Sequence, residues 1–295
     1  MSKIGLVYGE DRKNNIKTSL SYIKDDIITA LKGKDTILIK PNLVVPSRPL
    51  ACTHKDAILG LLEFLKENNL IENKKIIIAE GSAYNTEDGF KNMNYYDILK
   101  IFPNIQFLDL NKTDYIKIKI YDRNLNLFEI KCAKIMEKNF NPNIFYISIC
   151  PAKTHDTVLV TLSIKNIIVG SLLDDKPLIH QSYKAINLTL AKIYKEHISP
   201  DLSIIDAYEA MEGNGPVDGI PIKMNISISS IDPIYADALM SYLMGVEPFK
   251  VGYLYHLGIR EDFLNKIEVL GEVNFIKYKR NLKLHKDYLS QLNWS

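Results

Sequence analysis

One segment constrains the fold more than any other. Ile144 to Cys150 is a run of apolar residues, interrupted only by Ser148 and rich in β-branched and aromatic side chains, followed by Pro151 and then Lys153-Thr154-His155. Such a run reads as a buried strand that the proline ends. The next stretch, Val158 to Leu173, is almost wholly apolar or hydroxylic except for Lys165 and Asn166. An ammonium in such a run either reaches water along its stem or is buried and needs partners. A strand that empties into a cation, a hydroxyl and an imidazole, with a lysine close behind in apolar sequence, is where chemistry is expected.

The rest of the chain alternates strand and helix. Strands are predicted at Ile4 to Tyr8, Thr36 to Lys40, Lys75 to Ala79, Ile105 to Leu108, Leu202 to Ile205 (ending in Asp206), Lys223 to Ser229 and Ile267 to Leu270. Helical spacing links Ile16, Leu20, Ile23, Ile27 and Leu31, stopped by Gly33. A second helix opens at Thr53 as N-cap and runs to about Asn69, a short one covers Tyr95 to Ile101, and another follows Lys176-Pro177. Pro233 fits the first turn of a helix closed by Gly245. Tyr115 to Tyr121 and Leu127 to Cys132 alternate around a turn, predicting a small antiparallel hairpin insertion at about 113–132. The expected fold is α/β: a mostly parallel sheet with helices on both faces. Its core domain covers 1–248, and 249–295 is a C-terminal extension packed on it.

Composition narrows the function. Over 295 residues, 46% are apolar and 24% charged, and the net charge is +2. That balance is ordinary for a globular protein and offers no basic stripe for nucleic acid. No apolar run approaches the ~20 residues of a membrane-spanning helix. The first residues read as an opening strand without a signal-peptide layout, so no membrane partner and a cytoplasmic location are expected. Cys52, Cys132 and Cys150 are far apart, with no Cys-x-x-Cys to suggest a zinc ribbon or a local iron–sulfur motif.

Four strands end in polar residues. Lys40 and Asn42 follow one, Glu80 and Ser82 the next, Lys153 and His155 the central one, and Asp206 another. In parallel α/β sheets the carboxyl ends of the strands share an edge where ligands bind. Each group has a plain reading: Lys40-Pro41-Asn42 is a turn, and Glu80-Gly81-Ser82 a loop into a helix. Together they form a rim. His155 places a proton-exchanging group two residues from the Lys153 cation. Lys165, if buried among Leu162, Ile164, Ile167 and Ile168, has a depressed pKa and suits a base, an imine former or an anion clamp. His180 opens a helix next to Gln181, where a solvated helix face is the plain reading. Glu212-Gly-Asn-Gly-Pro-Val-Asp-Gly219 packs three glycines and a proline into eight residues, a loop expected to order around a ligand.

In this order, Ile39-Lys40-Pro41-Asn42-Leu43, Lys153-Thr154-His155, Thr161-Leu-Ser-Ile-Lys-Asn166, Lys176, His180, Asp206, the Glu212–Gly219 loop and Asp232-Pro233 with Asp237 resemble the family catalogued as domain of unknown function 362. The resemblance spans roughly residues 35 to 248. Many relatives in that family carry a ferredoxin-like segment with cysteine-ligated iron–sulfur clusters. This chain has no such segment, so no iron–sulfur cluster is expected. More remotely, the layout is similar to the nickel-dependent lactate racemases, although no position matches their cofactor-attaching motif.

Three readings follow. In the first, an enzyme binds a small anionic metabolite: Lys153 and Lys165 hold the anion, His155 is the general acid or base, and Asp206 orients a cation or His180. Lys40, Asn42, Glu80, Ser82, Asn166, Lys176, His180, Glu212 and Asn214 complete the binding surface. In the second, His155, His180, Asp206 and Glu212 hold a divalent metal. In the third, a non-catalytic subunit or homo-oligomer uses the aromatic tail of Phe249, Tyr253, Tyr255, Phe263 and Phe275, for which core packing is the favoured alternative.

Overall fold

Eleven strands divide into two sheets, and a computed structural model describes all of residues 1–295. In chain order they are β1 (Ser2–Tyr8), β2 (Thr36–Lys40), β3 (Lys75–Glu80), β4 (Gln106–Asp109), β5 (Tyr115–Tyr121), β6 (Leu127–Ala133), β7 (Ile144–His155), β8 (Leu159–Thr161), β9 (Leu202–Glu212), β10 (Ile220–Ser230) and β11 (Ile267–Gly271). The main sheet runs β11-β1-β10-β9-β7-β2-β3-β4, with β8 paired to β7. From β4 through β3, β2 and β7 to β9 every pairing is parallel. β10 is antiparallel to β9 and to β1, and β11 returns parallel to β1. The predicted hairpin is the small second sheet, β5 with β6.

Helices cover both faces. On one lie α1 (Arg12–Tyr22), α2 (Lys24–Ala30) and α3 (Lys55–Glu67), with α4 (Thr86–Asn92) beyond them; on the other lie α5 (Ser163–Val169), α6 (Tyr183–Glu196), α7 (Pro233–Leu243) and α8 (Gly252–His256). A four-residue helix, α9 (Tyr288–Gln291), follows near the C-terminus. The pleat explains how one apolar strand serves two cores. Ile37 and Ile39 point into the α1–α3 core while Leu38 between them joins the α5–α8 core, as the two-residue period of a strand requires. None of the helices is long and apolar enough to cross a membrane.

Several local expectations are corrected. Pro151 does not end β7: the strand continues to His155, and its register against β9 shifts between Pro151 and Lys153. A bulge is where a strand tolerates a residue without an N–H. The helix expected from Asn15 to Leu31 is broken into α1 and α2 at Ile23, although all five apolar residues are buried as their spacing requires. The N-cap of α3 is His54, whose ring nitrogen accepts from the Asp56 amide. Thr53 instead accepts from the Asn42 amide and donates to the Ile149 carbonyl, tying the loop after β2 to β7. The helix after Lys176-Pro177 begins only at Tyr183, following a 3-10 turn at Lys176–Ile179. β9 runs beyond Asp206 to Glu212.

Residues 249–295 share the α5–α8 core. Tyr253 is fully buried and Phe263 nearly so, and Phe249 and Phe275 pack against the same cluster. The tail also makes polar ties: Gln291 accepts from the Leu159 amide, and the Lys283 amide donates to Glu212. The Tyr253 hydroxyl donates to Asp237, whose two oxygens also accept from the Ser163 and Ile164 amides at the start of α5. Tyr253→Phe removes one of the three donors that Asp237 receives. It is expected to lower stability by about 1–2 kcal/mol in urea unfolding, with the folded-state circular dichroism unchanged.

Candidate functional site

The parallel strands open a crevice. From β2 the chain winds outward through β3 and β4, then returns on the other side of β2 as β7. The carboxyl ends of β2 and β7 therefore flank a topological switch point, the usual ligand position in open α/β sheets. A cavity of about 350 Å³ lies there. Lys40 and Asn42 enter it from the end of β2, Glu80 from β3, Lys153 and His155 from β7, and Lys165 and Asn166 from α5. Lys176 and His180 line it from the loop before α6, and Pro216 from the glycine-rich loop.

A continuous polar chain fixes these groups. Lys40 Nζ lies 2.6 Å from Glu80 Oε1, with both side chains essentially without solvent contact. Glu80 also accepts from the Leu43 and Gly81 amides, so both its oxygens are occupied. Asn166 Oδ1 accepts from Asn42 Nδ2 at 2.9 Å, and Asn166 Nδ2 donates to the Lys40 carbonyl and to the Ser148 hydroxyl. Asn42 Oδ1 in turn accepts from Lys153 Nζ at 2.7 Å, and Lys153 also donates to the Ala51 carbonyl. The order Lys153–Asn42–Asn166–Lys40–Glu80 thus joins β7, β2, α5 and β3. Lys176 donates to Asn111 and to the Leu173 carbonyl.

Lys165 differs from the other three. Only 5% of it is exposed, it lines the cavity, and its ammonium has no hydrogen-bonding or ion-pairing partner in the protein. Burial lowers its pKa to about 8; Asp156 opposes the shift and the Lys153 charge adds to it. Burial likewise lowers Lys153 to about 8 and Lys176 to about 8, and it lowers Lys40 against the pull of Glu80. Four lysines thus face two carboxylates, Glu80 and Asp156, around one hollow. That imbalance favours an anion.

The two histidines at the cavity lie in different settings. His155 is buried and its Nδ1 accepts from the Thr157 amide at 3.0 Å. Asp156 Oδ1 lies 3.0 Å from the same nitrogen. Burial and the Lys165 charge push the imidazole down to about 3, outweighing Asp156. His180 is exposed at the rim, its ring parallel to that of His155 with centroids 6.2 Å apart.

Other candidates lie apart from the cavity. Asp206 is buried but forms an ion pair with Arg12 of α1 at 3.0 Å and accepts from the Tyr208 amide, so it faces the opposite layer of helices. Glu212 is engaged by the Lys283 amide, and Asn214 is exposed. Ser82 is buried beside the wall, its hydroxyl donating to the Val44 carbonyl. With Asp206 and Glu212 elsewhere, the four residues considered for a divalent metal do not converge, and no three His, Cys, Asp or Glu side chains form a ligand set. The physical reason is the pleat: a residue at a strand's end points to one face or the other, and Asp206 points to the α1 face.

The cavity also uses residues that no motif marks. Asn111, after β4, receives Lys176. Gly170 packs so closely that an added Cβ would lie 2.3 Å from Lys40 Nζ and 3.0 Å from Glu80 Oε1. At Gly215 a Cβ would lie 2.1 Å from the Thr154 carbonyl oxygen, which is how the glycine-rich loop comes to lie on β7.

Comparison with known proteins adds two findings. The family described as Domain of unknown function (DUF362) matches residues 37–242. A thylakoid-associated protein of Synechocystis sp. is 22% identical over 226 residues, covering 74% of this chain and 65% of that protein. The chain therefore spans just under two thirds of that relative's length.

The buried ion pair gives a test of the scaffold. Lys40→Met leaves the Glu80 carboxylate without its counter-ion and is expected to cost about 3–5 kcal/mol. Combining it with Glu80→Leu should recover part of that loss, because no unpaired charge remains. Urea unfolding of the single and double variants measures both.

Proposed function

The chain belongs to the DUF362 family, a designation that names no activity, and we propose from its own residues that it is an enzyme acting on a small anionic metabolite held in the lysine-lined cavity. The observation that carries this reading is Lys165. Lys165 is 5% exposed as a residue, and its ammonium opens onto the cavity with no protein acceptor, a charge that an anionic ligand would compensate. The neighbouring cations are already held in place. Lys153 and Lys40 are anchored through Asn42, Asn166 and Glu80, so they present positive charge without having to reorganise when the ligand arrives.

The roles follow from the electrostatics. Lys153 and Lys176 attract the anionic group. Asn42 and Asn166 keep the amide chain in register. His155, held neutral by burial, hydrogen-bonds the substrate. The proton exchange near neutrality that its sequence position suggested passes to Lys165, whose pKa of about 8 suits a general base. Residue by residue, this retains the acid–base class while moving its centre from the imidazole to the amine. The three cysteines, all free and buried, support a reducing compartment, and we place the protein in the cytoplasm. The thylakoid association belongs to the relative that carries it in its name.

Malonate, a dianion with no aldehyde or ketone group, is a suitable probe. It is expected to raise the thermal unfolding temperature of the wild-type protein, and Lys165→Ala is expected to lose most of that shift. A ligand that stabilises both proteins equally would remove Lys165 from the site. Affinity should also depend on pH. The folded-state pKa values of Lys153 and Lys165 lie below the ordinary lysine value, so their positive charge is present at pH 7 and is lost as pH rises through about 8. Calorimetric titration with malonate should therefore show binding weakening at least ~10-fold between pH 7 and pH 9.5, whereas binding dominated by hydrogen bonds would change little.

A further inference from the structure

We propose that Lys165 forms an imine with the carbonyl carbon of an anionic 2-oxo acid, an inference that rests on the anion-binding cavity argued above and names the substrate class it takes. The first support is geometric. Of the four lysines around the hollow, Lys40, Lys153 and Lys176 each donate to protein acceptors that fix their direction. Only Lys165 reaches the cavity with its nitrogen unengaged. A lysine serving purely as a counter-ion works best when held rigid, as Lys153 is. A lysine that must form a bond needs a nitrogen free of such ties.

The second support is the surroundings. Lys165 sits on α5, whose first amides are fixed by the buried Asp237, so the helix that carries the amine is rigid. Leu162, Ile164, Ile167 and Ile168 surround its stem in the sequence and are fully buried. Apolar burial beside Lys153 disfavours the ammonium, and the neutral amine is the nucleophile. The cavity, at about 350 Å³, is of a size for a small metabolite. Lys153 and Lys176 supply positive charge for the carboxylate, which would place the adjacent carbonyl carbon toward Lys165.

The step balances without an oxidant. The lone pair of the neutral Lys165 amine attacks the carbonyl carbon, and a C–N bond forms as the C=O π bond opens. The oxygen then leaves as water, taking both amine protons in the overall sum. The nitrogen gains one proton from solvent, giving the iminium. Its positive charge draws electrons from the neighbouring carbon and so acidifies the C–H or weakens the C–C bond there, the usual purpose of such an adduct.

The experiment treats the intact protein at pH 7.5 with glyoxylate or pyruvate and sodium cyanoborohydride, which reduces an imine to a stable secondary amine. Peptide mapping by mass spectrometry then locates the adduct. Lys165 is expected to be modified at least ~10-fold faster than exposed lysines, because its neutral fraction is larger, and Lys165→Arg should lose that modification. Because the mapping is done on wild-type protein, it does not depend on the variant folding. Modification spread evenly over surface lysines, or absent from Lys165, overturns the proposal. Thermal shift with malonate, run alongside, separates the two ideas. Stabilisation without a Lys165 adduct removes the imine and leaves the anion site standing. Neither stabilisation nor adduct removes both.

Discussion

The Lys40–Glu80 pair is the interaction on which the rest of the site depends. Two opposite charges without solvent contact sit at the carboxyl ends of neighbouring parallel strands. Burying them separately would be prohibitive; buried together, they require every remaining lone pair and proton to be satisfied. The protein meets that requirement with the Leu43 and Gly81 amides, the Pro41 carbonyl and Asn166. Each of these partners belongs to a loop or helix lining the cavity. The demand of one ion pair thus fixes the loop after β2, the loop after β3 and the middle of α5 at once. Gly170 belongs to the same constraint, because no side chain fits against the pair.

The sheet order gives that local constraint its functional place. Strand β2 lies between β7 and β3 and is parallel to both. The chain's departure toward β3 and its return at β7 leave the ends of β2 and β7 uncovered by a direct connection. The crevice so formed is filled from α5, which follows β7 and β8 in sequence and brings Lys165 and Asn166 side by side. Adjacent residues on a helix point about 100° apart, which lets Asn166 join the buried amide chain while Lys165 turns to the open hollow.

The parts of this arrangement that could be read from sequence are those carried by local pattern. Lys165 and Asn166 interrupt an apolar run, and both prove buried. The polar residues after β2, β3 and β7 meet because parallel strands put their ends on one edge. Asp206 shows the limit of that reasoning. It also follows an apolar strand segment, yet it turns to Arg12 on the other face, and nothing local to Leu202–Asp206 records which layer of helices it will meet. Pro151 shows another limit, since a proline stops a regular strand but sits comfortably at a bulge, and the bulge depends on β9. Asn111 and Gly170 carry no motif, and their importance comes from Lys176 and Lys40, which are distant in sequence. The tail aromatics Tyr253 and Phe263 enter the core rather than forming an exposed face.

The position of β1 has a consequence for how the molecule assembles. It lies between β10 and β11, so its neighbours come from the far end of the sequence; the Ser2 hydroxyl and the Asp232 carboxylate it bonds are separated by 230 positions. Contacts of such long separation form slowly, because the entropy of closing the loop is lost before the pairing repays it. Throughout synthesis β1 is therefore an apolar strand with both edges open, a natural target for chaperones and for mispairing with another nascent chain. The central strands β2, β3, β4 and β7 face a shorter delay, since the paired residues Thr36 and Ile144 are 108 positions apart. The crevice they frame can take shape early, while the far side of the sheet waits for its last strands.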